Sequence, residues 1–258
     1  MNSQSKAPEN ISDALSLNAE QERIIAITGA GGKTTLMFRL ADELASQNLR
    51  VLVTTTTRIY RPKDQAIIKP GEMFSLEPGC IAVAGAPCES DKRKLTGVLP
   101  EQPGLWLEQN LCDIVIVEAD GAREKPMKAP AIGEPVLPDS CDVVIAVTGW
   151  DGIRAPAGPE SIHRWPLFQS LTGQREGRPV SGQSLVGLLK PVVGLFGSPP
   201  LNSRLCWLIN KLDSFELRDK AWLLGWAVLG QSTHIERALL ASLANKDEPV
   251  ECLGGAHN

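Results

Sequence analysis

The chain reads as an α/β protein with a mostly parallel sheet and helices on both faces, three layers in all. Three observations predict this. Apolar runs at 23–27, 50–53, 80–84, 112–117, 142–147 and 204–209 are continuous rather than alternating, as expected of strands buried on both faces. Segments with helical spacing of apolar residues, notably 34–47 and 215–229, lie between those runs, so strands and helices alternate along the chain. The first strand, its helix and the second strand follow at the spacing of a βαβ unit, which implies parallel strands and a right-handed crossover.

Length and charge narrow the function classes. At 258 residues the chain suits one α/β domain spanning 1–258. Its 26 basic and 30 acidic side chains leave a net charge of −4, which argues against a nucleic-acid or membrane-surface partner but leaves small anions open. Six cysteines at 80, 88, 112, 141, 206 and 252 form no Cys-x-x-Cys pair and read as free thiols, mostly buried. No basic leader precedes an apolar stretch and no apolar run reaches transmembrane length, so a cytoplasmic protein is expected.

Taken in order, residues 1–10 are polar and expected to fray, and 11–17 has the spacing of a short helix. The bend after the first strand carries the strongest chemistry: Thr28-Gly29-Ala30-Gly31-Gly32-Lys33-Thr34-Thr35. Glycines at 29, 31 and 32 let successive N–H groups converge on a polyphosphate at a helix N-terminus. Lys33 would meet the β and γ phosphates of GTP or ATP and Thr34 would ligate Mg²⁺, with Ala30 and Thr35 completing the cradle. The usual phosphate-loop pattern has a glycine six places before the lysine, where this chain has Ile27. The loop is therefore of a short type, and it resembles that of the Mur ligase and folylpolyglutamate synthetase families. It is also similar to the loop of dimeric maturation NTPases, a resemblance that leaves a homodimer open.

The second strand delivers Thr54-Thr55-Thr56-Thr57-Arg58 to the sheet edge where α/β proteins bind ligands. One of these threonines, taken as Thr55, is expected at the metal or the terminal phosphate, unless the run reflects β-propensity alone. Arg58 either stabilises transferred charge or is a surface arginine. The strand at 112–117 then presents Glu118 and Asp120, both for the Mg²⁺ shell or one of them as general base. Residues 121–138 carry four prolines and are read as an irregular loop, in which Lys125 and Lys128 either pair with an anionic substrate or are solvated.

After the strand at 142–147 come a turn and helix over 158–173 and a helix over 182–190. His163 lies in the first of these and is either catalytic, sensing phosphate, or a core histidine. Asn210-Lys211-Leu212-Asp213 then ends an apolar strand in the pattern that reads guanine: the carboxylate accepts from N1–H and N2–H₂, which adenine lacks. The alternative is that Asp213 or Ser214 caps the helix over 215–229, whose leucines and tryptophans should cover the sheet. Residues 234–243 fit a strand better than a further helix.

Together, Gly29 to Thr35, Thr54 to Arg58, Glu118-Ala-Asp-Gly121 with Lys128-Ala-Pro130, His163-Arg164 and Asn210 to Asp213 resemble the accessory-protein family of selenium-dependent molybdenum hydroxylases, over residues 11 to 252. The resemblance implies a cytoplasmic nucleotide-binding protein of P-loop NTPase-like fold. Its partners would be a molybdenum hydroxylase client and other accessory proteins, served in selenium cofactor maturation. Slow NTP hydrolysis is the leading reaction, with GTP favoured over ATP. An ATP-dependent transferase or ligase acting on a small anion, and a nucleotide-switched binding module without turnover, are the alternatives.

Overall fold

In the computed structural model, which describes residues 10–63 and 65–254, the chain runs α1 (Ile11–Leu15), β1 (Ile24–Gly29), α2 (Lys33–Ser46), β2 (Val51–Thr55), β3 (Arg58–Tyr60), β4 (Ala66–Ile68), β5 (Ile81–Ala84), β6 (Ala86–Pro87), β7 (Lys94–Thr96), α3 (Gln102–Glu108), β8 (Ile114–Glu118), β9 (Met127–Lys128), β10 (Val143–Gly149), α4 (Trp150–Arg154), β11 (Ile162–His163), α5 (Trp165–Thr172), α6 (Gly182–Leu188), β12 (Arg204–Asn210), α7 (Phe215–Leu229), β13 (Arg237–Leu240) and β14 (Glu251–Gly254). The expected fraying at the N-terminus falls almost wholly on residues 1–9, outside the described residues. Among the described residues no helix is long and apolar enough to cross a membrane.

One nine-stranded sheet runs β14-β13-β12-β10-β1-β8-β2-β5-β4. Its neighbours are parallel throughout, except that β14 is antiparallel to β13. The continuous apolar runs are explained by burial on both faces. Ile24 and Ala26 of β1 point into a cluster with Trp106, Phe168, Leu185 and Ala221, whereas Ile25 and Ile27 point the other way, against Ile11, Leu36, Met37 and Leu40. Helices α1 and α2 therefore cover one face, and α3, α5, α6 and α7 the other. Each fully buried Leu or Ile here contributes about 1.5–3 kcal/mol of transfer free energy.

A small second sheet, in which β7 pairs antiparallel with both β3 and β6, goes beyond the expected elements. Three local readings are corrected. The proline-rich segment 121–138 is not wholly irregular, since Met127 and Lys128 pair parallel with Ile162 and His163, which also takes His163 out of helix and into strand. Helix α7 buries its small face rather than its large one. Ala221, Gly225 and Val228 face inward, and a Cβ on Gly225 would collide with Leu253. Trp222, Leu223 and Trp226 stay on the outside.

Candidate functional site

Strand β1 lies between β8 and β10, and the chain passes over β8 to reach β2, so a crevice opens at the C-terminal ends of these strands. The glycine-rich bend sits there. Gly31 and Gly32 have φ of 90° and 135°, which side chains disfavour. Contact forbids side chains as well: a Cβ on Gly31 would meet the backbone of Gly149, and one on Gly32 the side-chain amide of Asn210. The bend is pinned from outside, because Ala30 N–H donates to Val147 O at 2.9 Å and Asn210 Nδ2 donates to Gly31 O at 2.8 Å.

Lys33 opens α2 and folds back over the bend, where its Nζ donates to Gly29 O at 2.9 Å. It lies 3.3 Å from Asp120 Oδ1 and 3.7 Å from Glu118 Oε1, with only 6% of its side chain exposed. Thr34 Oγ1 donates to Glu118 Oε2 at 2.8 Å. Burial pushes the Glu118 carboxyl up from its ordinary range, and the Lys33 ammonium opposes that shift. Asp120 is fully buried: its Oδ2 accepts from Gly29 N–H at 3.0 Å and pairs with Lys128 Nζ at 2.9 Å. Its Oδ1 is close enough to Lys33 to pair electrostatically, yet takes no hydrogen bond in this arrangement.

Lys128 departs from its expected role. With 1% exposure it meets no solvent or substrate, and it bridges Asp120, Glu134 Oε2 at 3.0 Å and Gly121 O at 2.8 Å. Arg164 in turn grips Glu134 through two bonds of 2.6 Å. An alternating chain of charge thus runs Glu118, Lys33, Asp120, Lys128, Glu134, Arg164, from the bend out to the proline-rich segment. Burial raises the Glu134 carboxyl, but Arg164 and Lys128 outweigh it and hold the group down at about 2. A folded-state pKa below the ordinary 4.5 contributes stability that is present above about pH 4.5 and lost as pH falls toward 2. The thermal midpoint is accordingly expected to drop through that window, and Glu134→Gln, less stable at neutral pH, to drop less. Parallel midpoint curves for the two proteins would remove this assignment.

A cleft of about 1090 Å³ opens beside the bend. Gly31 to Thr35, Thr57, Arg58, Glu118, His163 and Lys211 are on its wall, so the structure brings together most of the expected site residues. Gly29, Ala30, Asp120, Asn210 and Asp213 are not on that wall, and neither is Thr55. It is fully buried and its hydroxyl donates to Glu118 O at 2.6 Å, so Thr57, two residues further along, is the threonine that meets the cleft. Lys125 donates to Pro159 O and to Glu160 O rather than standing free. The His163 imidazole is pushed toward its neutral form by burial, then by Arg164, Lys128 and Arg123. Backbone strain concentrates here: Arg123, Glu124, Arg164 and Lys211 have φ between 49° and 67°, at about 1–3 kcal/mol each.

The segment from Asn210 to Asp213 lies at the next strand end along. Asn210 spans two elements, donating to Gly31 O and accepting from Leu243 N–H at 2.9 Å. Lys211 pairs with Asp151. Asp213 accepts from the Ser242 hydroxyl, and it does not cap α7, because Ser214 does so by accepting from Leu217 N–H. The sequence reading missed Glu134, Arg164 as its partner, and Ser242 with Leu243. The last pair could have been found, since parallel strands deliver their C-terminal ends to one edge and these residues follow β13. Nothing in the spacing of 120, 128, 134 and 164 announces an ion chain.

The family model described as YqeC protein matches residues 25–166, a span that includes the bend, the threonine run, Glu118 and Asp120, the proline-rich segment and His163-Arg164. The uncharacterized protein YqeC of Escherichia coli (strain K12) is 33% identical over 202 residues, covering 75% of this chain and 77% of that protein. No solved structure matches significantly. A family match over more than half the chain, on a span that contains the buried Lys33–Asp120–Lys128 centre, and a relative at this identity and coverage lead to one assignment: the chain belongs to the YqeC protein family.

Proposed function

We propose that the chain is a P-loop NTPase-like, Mg²⁺-dependent nucleoside-triphosphate-binding protein that hydrolyses nucleotide slowly and assists maturation of a selenium-dependent molybdenum hydroxylase in the cytoplasm. One observation carries the nucleotide part: Lys33 is held over the glycine bend with Thr34 and Glu118 in contact beside it. Lys33 then binds the β and γ phosphates, the N–H groups of residues 30–35 line the cradle, and Asp120 acts as a positioning residue that fixes Gly29 and Lys33. The Thr34 hydroxyl and Glu118 carboxylate are hard oxygen donors, and Asp120 Oδ1 has unused acceptor capacity, a set that fits Mg²⁺ with most of its waters retained. Mg²⁺ would supply charge neutralisation between the phosphates. Glu118 is also within reach to orient a water. The client reading is supported by family membership together with the resemblance of the motifs.

Guanine is favoured because Asp213 is anchored by Ser242 on one oxygen while Ser214 relieves it of helix capping. Two charge-assisted hydrogen bonds at about 1.5–3 kcal/mol each give a preference of roughly two orders of magnitude or more. Asp213→Asn is expected to cut GTP affinity by that factor, leave ATP affinity in place and improve xanthosine triphosphate binding. Competition against a fluorescent nucleotide measures it, and an unchanged GTP-to-ATP ratio would put ATP first.

The ligase-type alternative is favoured by the cationic wall of the cleft, and the switched-module alternative by the ion chain joining the bend to the proline-rich segment. Phosphate release from the protein alone selects hydrolysis. Release only with an added small molecule selects transfer, and nucleotide-dependent capture of a client without turnover selects the switch.

A further inference from the structure

We propose that the cleft holds a second ligand, a small phosphomonoester, in the part that a nucleotide on the bend does not reach. The inference rests on the nucleotide reading for what fills the other part. At about 1090 Å³ the cleft lies just above the roughly 300–1,000 Å³ found for small-molecule sites. It runs from the bend to a far wall made by β3, β7 and the start of the proline-rich segment, where Arg58, Tyr60, Lys94 and Arg123 line it. The base-reading residues lie elsewhere, with only Lys211 of that segment on the cleft.

The wall carries seven cations against three carboxylates, on a chain whose net charge is −4. The local field therefore opposes the sign of the whole molecule and selects anions. Most of those cations are already engaged. Lys33, Lys125, Arg164 and Lys211 have carboxylate or carbonyl partners. The guanidinium groups of Arg58 and Arg123 have no hydrogen-bond or ion-pair partner among the described residues, and Lys94 sits 4.8 Å over the Tyr60 ring. The Tyr60 hydroxyl donates to Glu124 Oε1 at 3.0 Å, which fixes the ring that carries Lys94.

Two arginine forks and one ammonium match the three oxygens and double charge of a phosphate ester better than the two oxygens and single charge of a carboxylate. Arg123 and Glu124 have φ of 49° and 63°, a conformation that persists at sites held for function. The same segment is clamped to the bend by Lys128, so the two ligands would share a rigid frame.

The test uses glycerol 3-phosphate as probe, followed by ³¹P line width and calorimetry on the full chain saturated with Mg²⁺ and a non-hydrolysable GTP analogue. Expected are saturable binding without displacement of the analogue, at least tenfold weaker binding of lactate, and at least tenfold loss of probe affinity in Lys94→Gln/Arg123→Gln with analogue affinity unchanged. Displacement of the analogue, no binding, equal binding of lactate, or an unaffected double variant would each overturn the proposal. The Lys33→Ala variant without nucleotide separates the two readings. Probe binding retained in folded Lys33→Ala upholds this subsite, and it does so even if the unaltered chain takes no nucleotide of any kind and the nucleotide reading falls; probe binding lost there assigns it to the bend and overturns the subsite.

Discussion

Lys33→Ala is expected to lower affinity for Mg²⁺–nucleotide by at least about 100-fold, which corresponds to about 3 kcal/mol for the one ammonium aimed at the phosphates. The same change is expected to destabilise the fold. Lys33 is 6% exposed between Asp120 and Glu118, so its removal leaves two buried carboxylates short of counter-charge, and breaking a buried pair costs about 3–5 kcal/mol. A sequence view of Lys33 as a free charge at a loop tip predicts no such loss. Titration must therefore be done well below the variant's melting temperature, with circular dichroism confirming the folded state. Wild-type nucleotide affinity in folded Lys33→Ala would sink the nucleotide assignment.

Lys128→Met should produce a stability loss as large as that of Lys33→Ala. The Lys128 ammonium bonds Asp120, Glu134 and a backbone carbonyl with almost no exposure, and methionine fills the stem's volume while supplying none of those bonds. Asp120 would keep the Gly29 N–H but lose its nearest cation. The expected cost is about 3–5 kcal/mol, or a melting temperature lower by roughly 10 °C in a chain of this size. Adding Asp120→Asn to Lys128→Met should recover part of that loss, because the stranded charge is then gone. A single variant melting within about 2 °C of wild type would show that the ion chain carries little stability.

Much of this site was legible in the sequence because its signals are local. Gly-Gly-Lys-Thr-Thr after an apolar run, a carboxylate at the tip of a second run and Asn-Lys-x-Asp at a third each need only a few neighbouring residues, and all three come to one edge since parallel strands end on the same side. The large strands were legible for the same reason: burial on both faces leaves an unbroken apolar signature. What escaped is non-local. Strands of two or three residues such as β6, β7 and β9 have no periodicity of their own and exist only through their partners. Lys128 reads in the sequence as either substrate-pairing or solvated, and it is neither, because its meaning comes from Asp120 and Glu134, which the backbone turns toward it. Thr55 and Thr57 are equivalent in composition, and only the course of the chain into β3 decides which one meets the cleft.

The strand order also sets a timetable for synthesis. Strand β1 is made early, yet it pairs only with β8 and β10, and its Ile25 waits for Ile116 and Val143. At ribosomal rates of about 5–20 residues per second, the nascent chain carries two bare apolar edges for on the order of ten seconds before β10 emerges. Asn210, which fastens the glycine bend, arrives later still. A nucleotide bound at the bend as proposed would therefore act only after β12 has docked, and until then the bare edges of β1 are open to pairing with other chains.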